Sequence, residues 1–149
     1  MPPPLTSGPA YLIRETHKSL SRVLAAEVVR LGISLKQYYY VRALLEEDGI
    51  SQVELGERVG MERATVTTAL DTLERDGFVR REAHPDDRRK TNVFLTAKGK
   101  RLRAPLIALI KSLNEATLAD ISRAELERMC ATIAKLARNA DAYLASLEH

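Results

Sequence analysis

Apolar side chains recur every three or four positions along most of this chain. From about Ala10 to Leu31, the residues Ile13, His17, Leu20, Leu24, Val28 and Leu31 share one side, and Gly32 follows, which predicts a single long helix. A second helix is predicted from Ser34 to Asp48-Gly49. It opens with a capping box between Ser34 and Gln37, and Tyr38, Val41, Leu44 and Leu45 share its apolar face. Ser51 and Glu54 fit another box at the start of a short helix whose buried side is Val53, Leu55 and Val59. Gly56 lets a neighbouring helix come close, although glycine costs about 1 kcal/mol against alanine inside a helix. Gly60 suits the left-handed residue that ends a helix. Next, Val66, Ala69, Leu70 and Leu73 fall at i, i+3, i+4 and i+7, an apolar stripe. The opposite side of that helix carries Ala64, Thr68, Asp71 and Arg75, with Thr65 and Thr67 on its flanks.

After Asp76-Gly77 the period changes. Phe78 and Val79, then Val93, Phe94 and Leu95, suit two strands, and His84-Pro85-Asp86-Asp87-Arg88-Arg89-Lys90 between them suits a turn. Two short helices around a glycine turn, followed by a hairpin, make a helix-turn-helix with a wing. Small, hydroxyl-bearing helix faces fit a DNA major groove, where the helix start reaches the base edges.

The helical period then returns. One helix is predicted from Thr96 to about Asp120, with Pro105 inside it as a kink or a lost hydrogen bond. A third capping box, Ser122 to Glu125, opens the last helix. There Leu126, Met129, Ile133, Leu136, Ala140, Tyr143 and Leu147 alternate spacings of three and four, a seven-residue repeat that Leu102, Leu106, Leu109 and Leu113 echo. Such a seam requires a partner helix, either in a second copy of the chain or in an intrachain hairpin. The fold class expected is mainly α with a small β wing (α+β). Its expected organisation is a flexible arm over residues 1–9, a helical dimerisation region over 10–33 and 100–149, and a winged helix-turn-helix over 34–99.

Charge sharpens this picture. From Arg80 to Arg101 there are eight Lys/Arg against three Asp/Glu, a segment charge of +5 in a chain whose net charge is +3. The rest of the chain is therefore net negative, and the positive charge is concentrated where phosphates would be met. Arg88, Arg89 and Lys90 read as DNA contacts, or as a solvated turn if charge alone is considered; Arg89 is the residue suited to a narrow minor groove. Arg63 and the threonines read as groove or phosphate contacts, or as plain helix decoration. Ser51 and Gln52 lie where a helix start can donate to phosphate, although capping explains Ser51 equally well.

The run over residues 54–81, Asp87-Arg88-Arg89, and Leu95-Thr96-Ala97-Lys98-Gly99 together resemble the MarR family of winged-helix transcription regulators, and the flanking helices extend the likeness over most of the chain. The resemblance implies a homodimer on a pseudo-palindromic double-stranded operator, as a ligand-responsive repressor. It implies that Arg63, Ala64, Thr65, Thr67 and Thr68 lie at the groove-facing start of the recognition helix. It implies a wing-tip role for Arg89 and an orienting carboxylate at Asp87. Many members carry Arg where this chain has Thr68, and a shorter capping Asp where it has Glu62. By the same likeness, a small anionic or aromatic effector binds near the junction of the dimerisation and DNA-binding parts. Arg14, His17, Tyr39 and Tyr40 are the candidates there; His17 alone on an apolar face also reads as a core residue. Tyr38 reads as core, Tyr39 and Tyr40 as freer.

Other classes find little support. The histidines, His17, His84 and His149, lie in different neighbourhoods, and no Gly-rich phosphate loop or Cys/His metal spacing is present, so no enzyme activity or cofactor is expected. His84 with Asp86 and Asp87 reads as a charge-compensated turn rather than a metal site. Cys130, the one cysteine, reads as a small buried hydrophobe beside the seam; the family's peroxide sensors carry theirs in the first helix. No apolar run reaches the roughly 18–20 residues of a membrane span, and Met-Pro-Pro-Pro lacks signal-peptide character, so a cytoplasmic protein is expected. The alternative function is a winged-helix protein-interaction module without a specific DNA target.

Overall fold

The structure, a computed structural model, describes residues 7–147, so most of the expected N-terminal arm and His149 lie outside it. The chain forms two compact units that divide after Lys111. In the first, α1 (Pro9–Val28) starts on a proline, whose missing N–H costs nothing at a helix start, and tightens into one 3-10 turn at Val29–Leu31. Gly32, at φ 78°, ends it. There follow α2 (Leu35–Glu46), α3 (Gln52–Val59), α4 (Arg63–Arg75), the strands β1 (Val79–Ala83) and β2 (Thr91–Leu95), and the short α5 (Ala97–Lys100). The capping boxes at Ser34–Gln37, Ser51–Glu54 and Ser122–Glu125 all form.

Helix α2 is the centre of this unit. It packs against α1, α3, α4 and β2. Neighbours on several sides bury Gln37, Tyr38, Tyr40, Val41, Ala43 and Leu44 together, a wider apolar arc than one stripe. Leu55, Val66, Leu70, Leu73, Val79 and Val93 complete the core. Each such side chain contributes about 1.5–3 kcal/mol by leaving water.

Three readings are corrected here. Val53 is 63% exposed rather than buried, because Leu55, two residues on, points about 200° away around the helix. The single helix expected from Thr96 is broken: α5 ends at Lys100 and α6 (Arg103–Thr117) begins afresh. Leu106 N–H bonds the Leu102 carbonyl, so Pro105 falls in the first turn of α6, and the interruption at residues 101–102 lies one turn before it, where a proline cannot supply the next helical hydrogen bond. Leu102 and Leu106 are buried in the core of their own unit and do not continue the terminal seam.

The second unit carries the end of α6 and α7 (Arg123–Leu147), joined through Asp120 at φ 64°. On α7 the side chains of Met129, Ile133, Leu136, Tyr143 and Leu147 are exposed, and only Leu126 is half-buried. Cys130 is exposed, not buried.

The hairpin pairs Val79 with Leu95, Arg81 with Val93 and Ala83 with Thr91, antiparallel. On its other edge Val93 exchanges bonds with Gly49 N–H and the Ile50 carbonyl, so β2 joins the wing to the segment entering α3. Two devices fix the hairpin on the helices. Thr96 Oγ1 donates to the Gly77 carbonyl and accepts from Gly99 N–H, bringing α5 against the start of β1. Arg81 grips α4: Nε and Nη2 donate to Glu74 at 3.0 and 2.7 Å, Nη2 also reaches Asp71 at 2.7 Å, and its backbone N–H bonds Glu74 Oε1 at 3.0 Å. The Arg81 hydrogen bonds hold the Glu74 carboxyl below its ordinary range, against partial desolvation.

A Cβ on Gly99 would lie 2.3 Å from the Phe78 carbonyl oxygen and 2.9 Å from Leu95 Cδ2. Backbone cannot yield as a flexible side chain can. Gly99→Ala is therefore expected to destabilise by about 1–3 kcal/mol, despite alanine's better helix propensity, as read by a denaturant midpoint. For Glu74 the folded pKa is lowered, so its contribution is complete above the ordinary value of 4.5 and fades as pH falls through the lower folded value. Glu74→Gln should lower the melting temperature by about 2–4 °C at pH 7. Its melting temperature should also fall less steeply than wild type below pH 4.5, and parallel acid limbs would remove Glu74 from this role.

Candidate nucleic-acid interface

The outer face of α4 emerges from its packing. Val66, Ala69, Leu70 and Leu73 turn inward, which leaves Arg63, Ala64, Thr68, Asp71 and Arg75 exposed and Thr65 and Thr67 half-buried. Close approach of α3 depends on Gly56, where a Cβ would meet Val66 Cγ2 at 3.0 Å. Gly60, at φ 67°, makes the turn between them. Glu62 takes the N-cap backbone conformation but forms no side-chain cap bond. Helix α4 therefore starts where expected without side-chain closure of its first N–H groups.

Across from α4 the hairpin tip closes on itself. His84 N–H bonds the Lys90 carbonyl at 2.9 Å, and Lys90 N–H bonds the Asp87 carbonyl at 2.9 Å. Asp87 accepts from the Arg89 backbone N–H at 3.0 Å and from its Nε at 3.1 Å. These bonds to Arg89 hold the Asp87 carboxyl below its usual range. The Arg89 side chain nevertheless stays 91% exposed. A guanidinium aimed outward and steadied at its base is pre-organised for an outside acceptor.

Between tip and helices lies a groove of about 870 Å³. It brings together Ser51, Gln52, Arg63, Arg89 and Lys90 of the expected site residues. Ala64, Thr65, Thr67, Thr68, Asp87 and Arg88 do not line it. Gln52 nevertheless joins the two sets, donating from Nε2 to Thr67 Oγ1 at 2.8 Å. The Ser51 hydroxyl is taken up by its own box, donating to Glu54 at 2.7 Å and accepting from the Glu54 N–H at 3.2 Å. That bonding lowers the Glu54 pKa, and the carboxylate occupies the place an anion would take at the start of α3.

The wing's charge is less outward than counting implies. Arg81 grips α4. Arg80 pairs with Glu82 and stacks over Phe94, Lys98 bonds the Asp76 carbonyl over Phe78, and Lys100 pairs with Asp48 at 3.3 Å. Arg88, Arg89 and Lys90 remain at the exposed tip. Sequence reasoning passed over Arg81; Asp71 and Glu74, three apart on one helix, were the available signal, but their partner lies beyond a turn.

The four effector candidates are not brought together. Arg14 and His17 are exposed on α1, where Arg14 pairs with Glu15 and His17 Nε2 lies 3.4 Å from Ser21 Oγ. His17 is thus no core residue, because the packed side of α1 lies nearer its C-terminus, at Val28. Tyr39 is half-buried, 5.4 Å from the Tyr38 ring. Tyr40 is not free but 1% exposed, its hydroxyl without a hydrogen-bond partner, and burial raises its pKa. Among the described residues no cluster of His, Cys, Asp or Glu is placed to hold a metal ion, and no helix is long and apolar enough to cross a membrane.

Known proteins share this arrangement. The family model described as MarR family matches residues 33–91, from the start of α2 into β2. The transcriptional regulator HosA of Escherichia coli O111:H- is 36% identical over 67% of this chain and 74% of its own. Among solved structures, the PcaV transcriptional regulator of Streptomyces coelicolor aligns with TM-score 0.77 at 27% identity, over 94% of this chain and 99% of that one. MepR of S. aureus aligns with TM-score 0.81 at 22% identity, over 89% and 98%, a likeness of fold. With the family model spanning the helices, turn and first strand that build the groove, and HosA sharing more than a third of its aligned residues, the chain belongs to the MarR family of winged helix-turn-helix transcriptional regulators.

Proposed function

We propose that this regulator acts as a homodimeric, ligand-responsive repressor on a pseudo-palindromic double-stranded operator. The observation that carries the reading is the Arg89 tip, exposed yet steadied by Asp87, across one groove from Gln52 and Arg63. In this reading α4 enters the major groove through Arg63, Ala64, Thr65, Thr67 and Thr68 while Arg89 enters the neighbouring minor groove. Arg88 and Lys90 neutralise flanking phosphates. MepR was solved as a DNA complex and a Listeria monocytogenes family member with a 26mer DNA, which supports this use of the fold.

The exposed apolar row on α7 supports a second copy of the chain as its cover. Two copies would set their recognition helices about one DNA turn apart, roughly 34 Å. PcaV was solved in complex with its natural ligand, which supports a small-molecule effector here. Such an effector works by binding one dimer geometry more tightly than the other and so shifting the population away from operator spacing.

Fluorescence anisotropy against promoter DNA at several salt concentrations tests the DNA reading. Affinity should fall steeply with salt. Arg89→Ala should weaken binding about tenfold or more, most on A·T-rich flanks, and make the salt dependence shallower by about one unit of slope. Binding indifferent to salt and to Arg89 would reject the proposal in favour of a protein-interaction module. Sedimentation equilibrium tests the dimer: wild type should run as two chains and Ile133→Asp as one, and a monomeric wild type is incompatible with this assembly.

A further inference from the structure

A hydroxyl on a helix face can meet a base as donor or as acceptor, and the choice depends on where its proton already lies. On α4 the protons of Thr67 and Thr68 are committed, whereas half-buried Thr65 forms no such bond. Thr67 Oγ1 donates to the Arg63 carbonyl at 3.0 Å, and Thr68 Oγ1 donates to the Ala64 carbonyl at 3.1 Å. Thr67 is held twice, since Gln52 Nε2 donates to the same oxygen at 2.8 Å. With its proton on Arg63 and one lone pair on Gln52, the Thr67 oxygen keeps one lone pair for an outside donor. Thr68 keeps two. Neither donates outward without breaking a bond that the helix already makes. Ala64 and Thr68 lie one turn apart on the exposed face and add a methyl group each. The other long side chains on this face are occupied: Asp71 binds Arg81, and Arg75 pairs with Asp76. Arg63 is the exposed donor fork at the helix start.

In the major groove guanine offers only acceptors, N7 and O6. Adenine N6 and cytosine N4 are donors, and thymine adds a methyl group. A surface of acceptors and methyls complements the last three and leaves guanine unmatched. Resting on the DNA-reading function proposed above, the geometry points to α4 as an acceptor-and-methyl reader. Thr67 and Thr68 each face a base that is adenine, cytosine or thymine rather than guanine, so that they select which strand of a G·C pair they meet and favour a thymine methyl; Gln52 is the positioning residue that sets Thr67, and guanine contact in each half-site falls to the helix start, at Arg63 and the Thr65 hydroxyl.

The test begins with duplexes selected from a random pool by the full-length protein. The selected duplex is then titrated with single-position base analogues: uracil for thymine, which deletes the methyl; unsubstituted purine for adenine, which deletes the N6 amine; and 7-deazaguanine for guanine, which deletes N7. Uracil or purine should cost about fivefold or more at one or two adjacent positions of each half-site. Thr68→Ser, which keeps the hydroxyl and removes the methyl, should reduce the uracil penalty at its position to below about twofold on the same scale. Gln52→Ala should change the amine dependence at the neighbouring position rather than weaken all probes alike. Sensitivity to 7-deazaguanine should be confined to the positions lost with Arg63→Ala or Thr65→Val. Dependence on guanine N7 at several positions that survives both Arg63→Ala and Thr65→Val, with no uracil or amine penalty, overturns the inference while leaving DNA binding intact. A pool that yields no enriched sequence defeats the DNA-reading function itself, and the inference with it.

Discussion

A guanidinium can face two carboxylates at once, and Arg81 does so from the first strand of the hairpin. Its fork reaches Glu74 and Asp71 on α4, and its own backbone N–H closes on Glu74 as well. One residue thereby ties the strand's register to the helix that carries the threonines. The hairpin tip is held relative to α4 by that clamp together with the Thr96 bonds at the hairpin's base and the Val93 bonds to Gly49 and Ile50. Arg81 and Glu74 are half-buried while Asp71 is exposed, so water and salt screen the Glu74 arm of the clamp less than they would a surface pair.

The basic residues of the wing fall into two groups. Those near the base of the hairpin are spent inward, on carboxylates, carbonyls and aromatic faces. Those at the tip are left outward, and only Arg89 of these is steadied, by a carboxylate that does not cover it. A positively charged surface built this way meets phosphate with few residues but with fixed geometry, which lowers the ordering cost of association. On α4 the equivalent restraint is the return of threonine hydroxyls to the backbone, with Gln52 holding one of them from the preceding helix.

Much of the architecture was legible along the chain because it is local. A capping box needs residues three apart, and Ser34, Ser51 and Ser122 each formed theirs. The α4 stripe needs only helical spacing, and Val66, Ala69, Leu70 and Leu73 are all buried. Gly60 announced its own positive φ. Tyr40 did not announce its burial, because that depends on α2 being enclosed on several sides rather than on one. Pro105 was legible as an interruption, but that it falls in the first turn of a new helix depends on where the preceding helix stops, and α5 stops early.

The candidate interface divides along the same line. Sequence alone determined that a threonine-bearing helix, a glycine turn and a basic hairpin follow one another, since each is written in neighbouring residues and their spacing. It also placed Arg89 at the hairpin tip beside Asp87. Tertiary structure alone decided which of the wing's cations face outward, that Gln52 reaches Thr67 fifteen residues away, and that Arg81 binds the hairpin to α4. Those contacts join residues that no local period brings together; they exist only once α2 has gathered the helices and β2 into one core.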